Sequence, residues 1–210
     1  MKLYDFEVAP SAQRVRVFMA EKGIEVPIEP LNVRAGEQFA APFSSMNPFH
    51  CVPFLELDDG TVIAESMSIC RYLEELNPTP ALYGRTAEER AVIDMWERRF
   101  ELDGFIPMLH AMRNHVPNFI GKVVPGTRND LPQLPEMVSR GTEMMEIFLA
   151  RVEPHIAKND FVAGPEFTVA DITAFFTVRM TTAFEMDLVG SYPAVAAWLA
   201  KVSARPAFQL

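Results

Sequence analysis

The sequence predicts an α/β domain over residues 1–77 followed by an all-α helical bundle over residues 86–210. Three observations carry this reading. Up to Asn77, short β-prone runs alternate with segments of helical apolar period, whereas beyond Thr86 the helical period persists almost alone. Between the two, Asn77-Pro78-Thr79-Pro80 is a stiff break, because each proline fixes its own φ and biases its predecessor away from the helix. A hydrophobic content of 49% over 210 residues excludes a disordered chain and suffices for a sizeable core.

Lys2 to Phe6 is the first strand, and the loop Glu7-Val8-Ala9-Pro10-Ser11 follows it. Val15, Phe18 and Met19 fall at i, i+3 and i+4 of a helix that stops at Lys22-Gly23, where a cation and a glycine both suit a C-terminus. Ile24 to Val33, broken by Pro27 and Pro30, is a second strand, and a strand–helix–strand unit favours a parallel pair with a right-handed crossover. Residues 34–48 read as a short helix in a mobile loop.

A hairpin comes next. Leu55 and Leu57 alternate with Glu56, Asp59-Gly60 predicts a two-residue turn, and Thr61 to Ala64 is the return strand. Pro53 opens the hairpin without an N–H, which predicts an edge position and leaves the main chain of Val52 to pair with a peptide-like ligand. At the far end, Glu65-Ser66 sits where strand gives way to helix. The N–H groups of Ser66 and Met67 and the Ser66 hydroxyl lie at the positive end of that helix, where a carboxylate is accepted; a plain helix cap at Ser66 is the lesser alternative. Ile69, Tyr72, Leu73 and Leu76 carry the helix to Asn77-Pro78.

The second domain opens on the capping box Thr86-Ala87-Glu88-Glu89, and Val92, Met95, Trp96, Arg99 and Leu102 are predicted to face a core or a partner subunit. Gly104 and Pro107 interrupt or kink the pattern before His115-Val116. Residues 117–135 hold four prolines and two glycines and read as a loop. Val138 to Ile156 is the next helix. Thr168-Val169-Ala170-Asp171 is a second capping box, read as a stability element, and it opens an apolar helix through Met180; Trp198 and Leu199 lie on the last one.

Net charge is −9, from 19 basic and 28 acidic residues, without a basic block, so nucleic acid and anionic membranes are poor partners. No apolar run is long enough to span a bilayer and the first residues enter a strand at once, which predicts a soluble cytoplasmic protein. Cys51 and Cys70 are too few for a disulfide scaffold. The four histidines lack metal-binding spacing, and no metal is expected.

The pairing of Val52-Pro53 with Glu65-Ser66 resembles the glutathione site of the glutathione transferases, and the order βαβαββα is similar to the thioredoxin-like domain of that family. The resemblance is greatest to the branch named for the second yeast glutathione transferase, on Met1-Lys2-Leu3-Tyr4-Asp5, Arg14-Val15-Arg16 and Ala20 to Pro27. It implies a glutathione-dependent conjugation of small hydrophobic electrophiles by a homodimer, glutathione being a co-substrate. Residues 1–77 would bind glutathione and residues 86–210 would hold the electrophile. A non-catalytic glutathione carrier of the same fold is the alternative, favoured by Ala9-Pro10 standing where several members place a catalytic serine.

The resemblance also assigns roles. Val52, before a cis Pro53, exchanges main-chain hydrogen bonds with the cysteinyl unit, and Glu65 and Ser66 hold the γ-glutamyl end. Ser11 is either the thiolate donor or the N-cap of its helix. In the implied branch, second-domain side chains hold a water against the sulfur. His110, Arg113 and Asn114 share a helix face at i, i+3 and i+4; His110 and Asn114 are the candidates for that water and Arg113 for the second substrate, and a solvated or subunit-bridging face is the other reading. His50 either bonds the glycyl carboxylate or is an exposed loop residue. Cys51 either forms a mixed disulfide with glutathione or is a bystander thiol.

Overall fold

The computed structural model describes residues 1–209, which divide into two compact units. The first comprises Met1–Pro80 together with Pro125–Thr127; the second comprises 81–124 and 128–209.

The first unit runs β1 (Lys2–Asp5), α1 (Pro10–Lys22), β2 (Ile28–Pro30), α2 (Phe43–Met46), β3 (Phe54–Glu56), β4 (Val62–Ala64) and α3 (Ser66–Leu76). The sheet order is β2-β1-β3-β4, with β1 and β2 parallel and the other pairs antiparallel. This is a thioredoxin-like mixed sheet with helices. Alternation along β1 sends Leu3 and Asp5 to one face and Tyr4 to the other. Leu3, Val15, Phe18, Leu55, Ile69 and Leu73 are buried, and each such side chain contributes about 1.5–3 kcal/mol. On the opposite face Tyr4, Leu31 and Phe54 form a smaller cluster with Phe43 and Met46.

Two hairpin expectations are corrected here. β3 is an interior strand, not an edge; Pro53 is tolerated because the ladder begins only at Phe54, which pairs with Tyr4 on one side and Ala64 on the other. The turn is longer than two residues. Leu57 N–H donates to Thr61 O and Gly60 N–H donates to Leu57 O, with positive φ at Gly60 (85°) and not at Asp59, which is a type I turn closed by a glycine bulge. Asp59 lacks the left-handed conformation that a two-residue type I′ turn demands; its carboxylate accepts the Thr61 N–H at 2.9 Å instead. Between β2 and β3 the chain forms a 3₁₀ turn at Glu37–Phe39 as well as α2.

The second unit is helical: α4 (Ala87–Arg99), α5 (Ile106–His115), α6 (Pro135–Ile156), α7 (Val169–Arg179), α8 (Leu188–Ser191) and α9 (Pro193–Ser203). Both predicted capping boxes are formed. Gly104 and Pro107 do not break the path from α4 to α5. A π-helical segment, Phe100–Phe105, links the two, and Ile106 N–H bonds Glu101 O five residues back. The stripe does not enter this chain's own core: Val92, Met95 and Leu102 are 38%, 49% and 50% exposed, while Ile93, Glu97, Phe100 and Gly104 face inward, which leaves it the partner-subunit alternative. Helix α7 is buried almost all round and forms the centre of the unit. Its Asp171 carboxylate, fully buried, accepts from Val162 N–H (2.9 Å), Thr168 N–H (2.9 Å), Thr168 hydroxyl (3.2 Å) and Trp198 Nε1 (3.0 Å). That one side chain ties the cap of α7 to α9.

Candidate functional site

Strand direction decides where the site lies. The partners Asp5–Pro30, Tyr4–Phe54 and Phe54–Ala64 put the C-terminal ends of β1, β2 and β4 at the same end of the sheet as the N-terminal end of β3. Three segments therefore meet there: the Phe6–Ala9 loop with the start of α1, the Val52-Pro53 dipeptide, and Glu65 with the start of α3. Two helix N-termini, each carrying partial positive charge, flank one stretch of extended main chain.

The Val52-Pro53 peptide is cis, as the resemblance implies. Within the described residues, no hydrogen bond uses the N–H or carbonyl of Val52, because the β3 ladder starts two residues later. A second peptide strand can pair with them. The turn that delivers Val52 is fastened by Asn47, a residue that sequence reasoning missed. Asn47 is buried; its Nδ2 donates to Cys51 O at 2.8 Å and its Oδ1 accepts Phe49 N–H at 3.1 Å. The signal available was an asparagine directly before Pro48, where its side chain organises the turn that follows. His50 occupies a left-handed conformation (φ 52°), donates its N–H to Asn47 O and sets its ring 4.9 Å from Phe39. It is half-buried beside the same turn. Gly126 seals the turn from outside: a Cβ there would lie 1.9 Å from Phe49 O and 2.8 Å from Cys51 Sγ.

Glu65 and Ser66 divide their roles differently from a serine cap. Glu65 is the N-cap of α3, with φ 69° and ψ 123°, a conformation that costs a non-glycine residue about 1–3 kcal/mol. Ser66 is the first helical residue and is buried; neither its hydroxyl nor its N–H has a partner among the described residues. The side chain of Glu65 is exposed beside it. Such strain concentrates where binding groups are held in place.

Ser11 is likewise not a cap. Ala9 is the N-cap of α1 and Pro10 its first residue, which places Ser11 in the first turn. Gln13 N–H is the first to find a helical partner, Ala9 O, so the N–H groups of Ser11 and Ala12 point out of the helix start, and the Ser11 hydroxyl has no partner among the described residues. Tyr4 is removed from this chemistry. Its hydroxyl donates to Glu56 Oε2 at 2.8 Å, and burial, reinforced by Glu56, pushes its pKa up to about 12.

In the second unit the predicted trio separates. Asn114 Oδ1 accepts Leu134 N–H at 2.9 Å and its Nδ2 donates to His110 O at 2.8 Å. Arg113 donates to Lys122 O and stacks 4.8 Å from the Phe119 ring, while Gln133 reaches the carbonyls of Arg113 and Val116, both at 2.8 Å. These side chains fasten the proline-rich segment to α5, which is a task the sequence reading did not assign them. The half-buried His110 ring has no hydrogen bond within the described residues. Among those residues, no group of three or more His, Cys, Asp and Glu side chains is arranged to hold a metal ion, and neither cysteine is in a disulfide.

A thioredoxin-like sheet whose open main-chain pair lies between two helix starts, joined to a helical unit, is the class of protein that the fold defines. Residues 9–76 match the N-terminal domain of glutathione S-transferases and residues 121–206 match the C-terminal domain. The chain is 30% identical over 208 residues to glutathione S-transferase 2 of Saccharomyces cerevisiae, covering 98% of this chain and 87% of that one. Among solved structures, a glutathione S-transferase domain-containing protein of Marinobacter aquaeolei superposes with a TM-score of 0.89 at 34% identity, covering 99% of this chain and 100% of the other. A glutathione S-transferase of class Gtt2 from Vibrio parahaemolyticus does so with a TM-score of 0.85 at 33% identity, covering 100% and 96%. The chain belongs to the glutathione S-transferase family.

Proposed function

We propose that this protein conjugates glutathione to small hydrophobic electrophiles. The observation that carries the reading is the unpaired main chain of Val52 beside cis Pro53, set between the starts of α1 and α3. The cysteinyl unit of glutathione pairs with Val52. Its γ-glutamyl carboxylate binds Ser66, and its ammonium meets the Glu65 carboxylate. The glycyl carboxylate lies toward His50. A cysteine thiol ordinarily ionises near pH 8.5, so about one unit or more of stabilisation is needed at neutral pH; the Ser11 hydroxyl and the N–H groups at the start of α1 supply it. The sulfur then forms a bond to the electrophilic carbon while a leaving group departs with its electron pair.

Residues 86–210 hold the electrophile, and His110 is the member of the helical trio whose side chain remains available to it. Arg113 and Asn114 act on that site by holding the 117–134 segment. The exposed apolar residues Val92, Met95 and Leu102 suit a homodimer face. No helix among the described residues is long and apolar enough to cross a membrane, and two thiols without a disulfide suit the cytoplasm.

The test is retention on immobilised glutathione followed by turnover of a chromogenic electrophile. Wild type is retained and active, and Ser11→Ala is retained but loses at least about tenfold in kcat at pH 7, one charge-assisted hydrogen bond's worth. A wild-type protein that washes through unretained ends the reading. Undiminished turnover in Ser11→Ala removes that residue from the mechanism.

A further inference from the structure

Asp5 ends β1 and points to the α1 side of the sheet, where it is 3% exposed. Its Oδ2 lies 3.1 Å from Arg16 Nη1, one and a half turns into α1, and the other end of the same guanidinium, Nη2, donates to the carbonyl of Glu7. Arg16 thus spans from a buried carboxylate to the middle of the Phe6–Ala9 loop. The loop has one other internal tie, Ala9 N–H to Phe6 O at 2.9 Å. Asp5 Oδ1 and Arg16 Nε are both buried without a hydrogen-bond partner among the described residues, so removing either group leaves a buried charge that has lost its oppositely charged neighbour. Burial raises the Asp5 pKa while Arg16 pulls it back down. Lysine is no equivalent, because a single ammonium on a flexible stem does not bridge two acceptors in a fixed fork.

We infer that Arg16, anchored by Asp5, is a positioning residue for thiol ionisation: it fixes the loop that sets the start of α1, and with it the Ser11 hydroxyl and the Ser11 and Ala12 N–H groups. This rests on the transferase reading above. Arg16 touches neither glutathione nor electrophile; it acts through the loop. Its loss should therefore appear in thiolate formation and not in the capture of glutathione by Val52 and Ser66, which lie on other segments.

The experiment compares wild type, Arg16→Met, Arg16→Lys and the charge-neutral double variant Asp5→Asn/Arg16→Met. In Arg16→Met, the apparent thiol pKa of bound glutathione rises by about one unit and kcat at pH 7 falls about tenfold, with KM for glutathione held within about twofold. The double variant, which leaves no uncompensated buried charge, shows the same pKa rise if the single variant is too unstable to assay. Arg16→Lys regains thermal midpoint but not kcat. An unmoved pH profile in Arg16→Met and in the double variant overturns the inference, as does full recovery of kcat by lysine. Amide exchange at Ala9, Ser11 and Ala12 gives a readout independent of glutathione. It accelerates in the variants if the loop depends on Arg16, and unchanged exchange overturns the inference even with an active enzyme. Failure of wild type to retain or turn over glutathione is a separate result that sinks the transferase reading.

Discussion

Lys22 Nζ lies 2.5 Å from Glu74 Oε2, with both side chains buried, and so joins the last turn of α1 to the last turn of α3. The same ammonium donates to Pro80 O and sits 5.6 Å above the Phe18 ring. A buried charge that loses its partner costs about 3–5 kcal/mol, whereas replacing both partners by apolar groups is close to neutral. Glu74→Ala should therefore destabilise the first unit by about that amount, and Lys22→Met/Glu74→Leu by far less, in denaturant unfolding followed by circular dichroism. Equal losses in the two variants would show that the pair's geometry, not its charge balance, is what matters.

Ser66→Ala removes a hydroxyl that has no partner within the described residues, so stability should change by less than about 0.5 kcal/mol. A hydrogen bond to a charged group contributes about 1.5–3 kcal/mol, so glutathione affinity should fall about tenfold or more, measured by calorimetric titration. Unaltered affinity would place the γ-glutamyl end elsewhere.

Gly126→Ala places a methyl group against Phe49 O and Cys51 Sγ, and Gly126 itself has φ 67°. The turn that delivers Val52 must shift to admit it. The expected outcome is a KM for glutathione raised by about tenfold, since small displacements of positioning groups weaken binding strongly. An unchanged KM with a lowered thermal midpoint would confine Gly126 to stability.

Asp171 gives a pH dependence whose sign follows from burial. Its pKa is pushed up to about 6 by desolvation, against four donors that pull it down, while in the unfolded chain it titrates near its ordinary value of 3.8. Between those values the folded state holds a proton that the unfolded state has released. The group's contribution is thus fully present below about pH 4, declines as pH rises to about 6, and is flat above. The stability of wild type relative to Asp171→Asn should shrink across that window. A difference that grows with pH would mean that the donors outweigh burial.

Much of this architecture was legible in the chain because local chemistry and tertiary structure agree. Both capping boxes, the stop at Lys22-Gly23, the parallel first pair of strands and the strand-to-helix change at Glu65 follow from residues acting on their neighbours. The failures have a common cause. Pro53 reads as an edge marker only when the ladder's first residue is unknown, and the ladder begins one residue past it. Gly126 and the Asp5–Arg16–Glu7 brace act through tertiary approaches that a linear pattern does not encode. Asn114 looked like a reagent because an amide on a helix face can serve either a water or a main chain; only the folded position of Leu134 shows which groups it meets.

The π-helical stretch at Phe100–Phe105 has a bearing on how the longest helical run of the protein is built. Proline in an ordinary α-helix drives its ring into the carbonyl four positions behind, which for Pro107 belongs to Asp103. Winding more loosely just ahead of that point accommodates one surplus residue in the turn that leads into Pro107. The looser winding behaves as an expansion joint, and the residues on either side of it should not be counted on one continuous helical wheel.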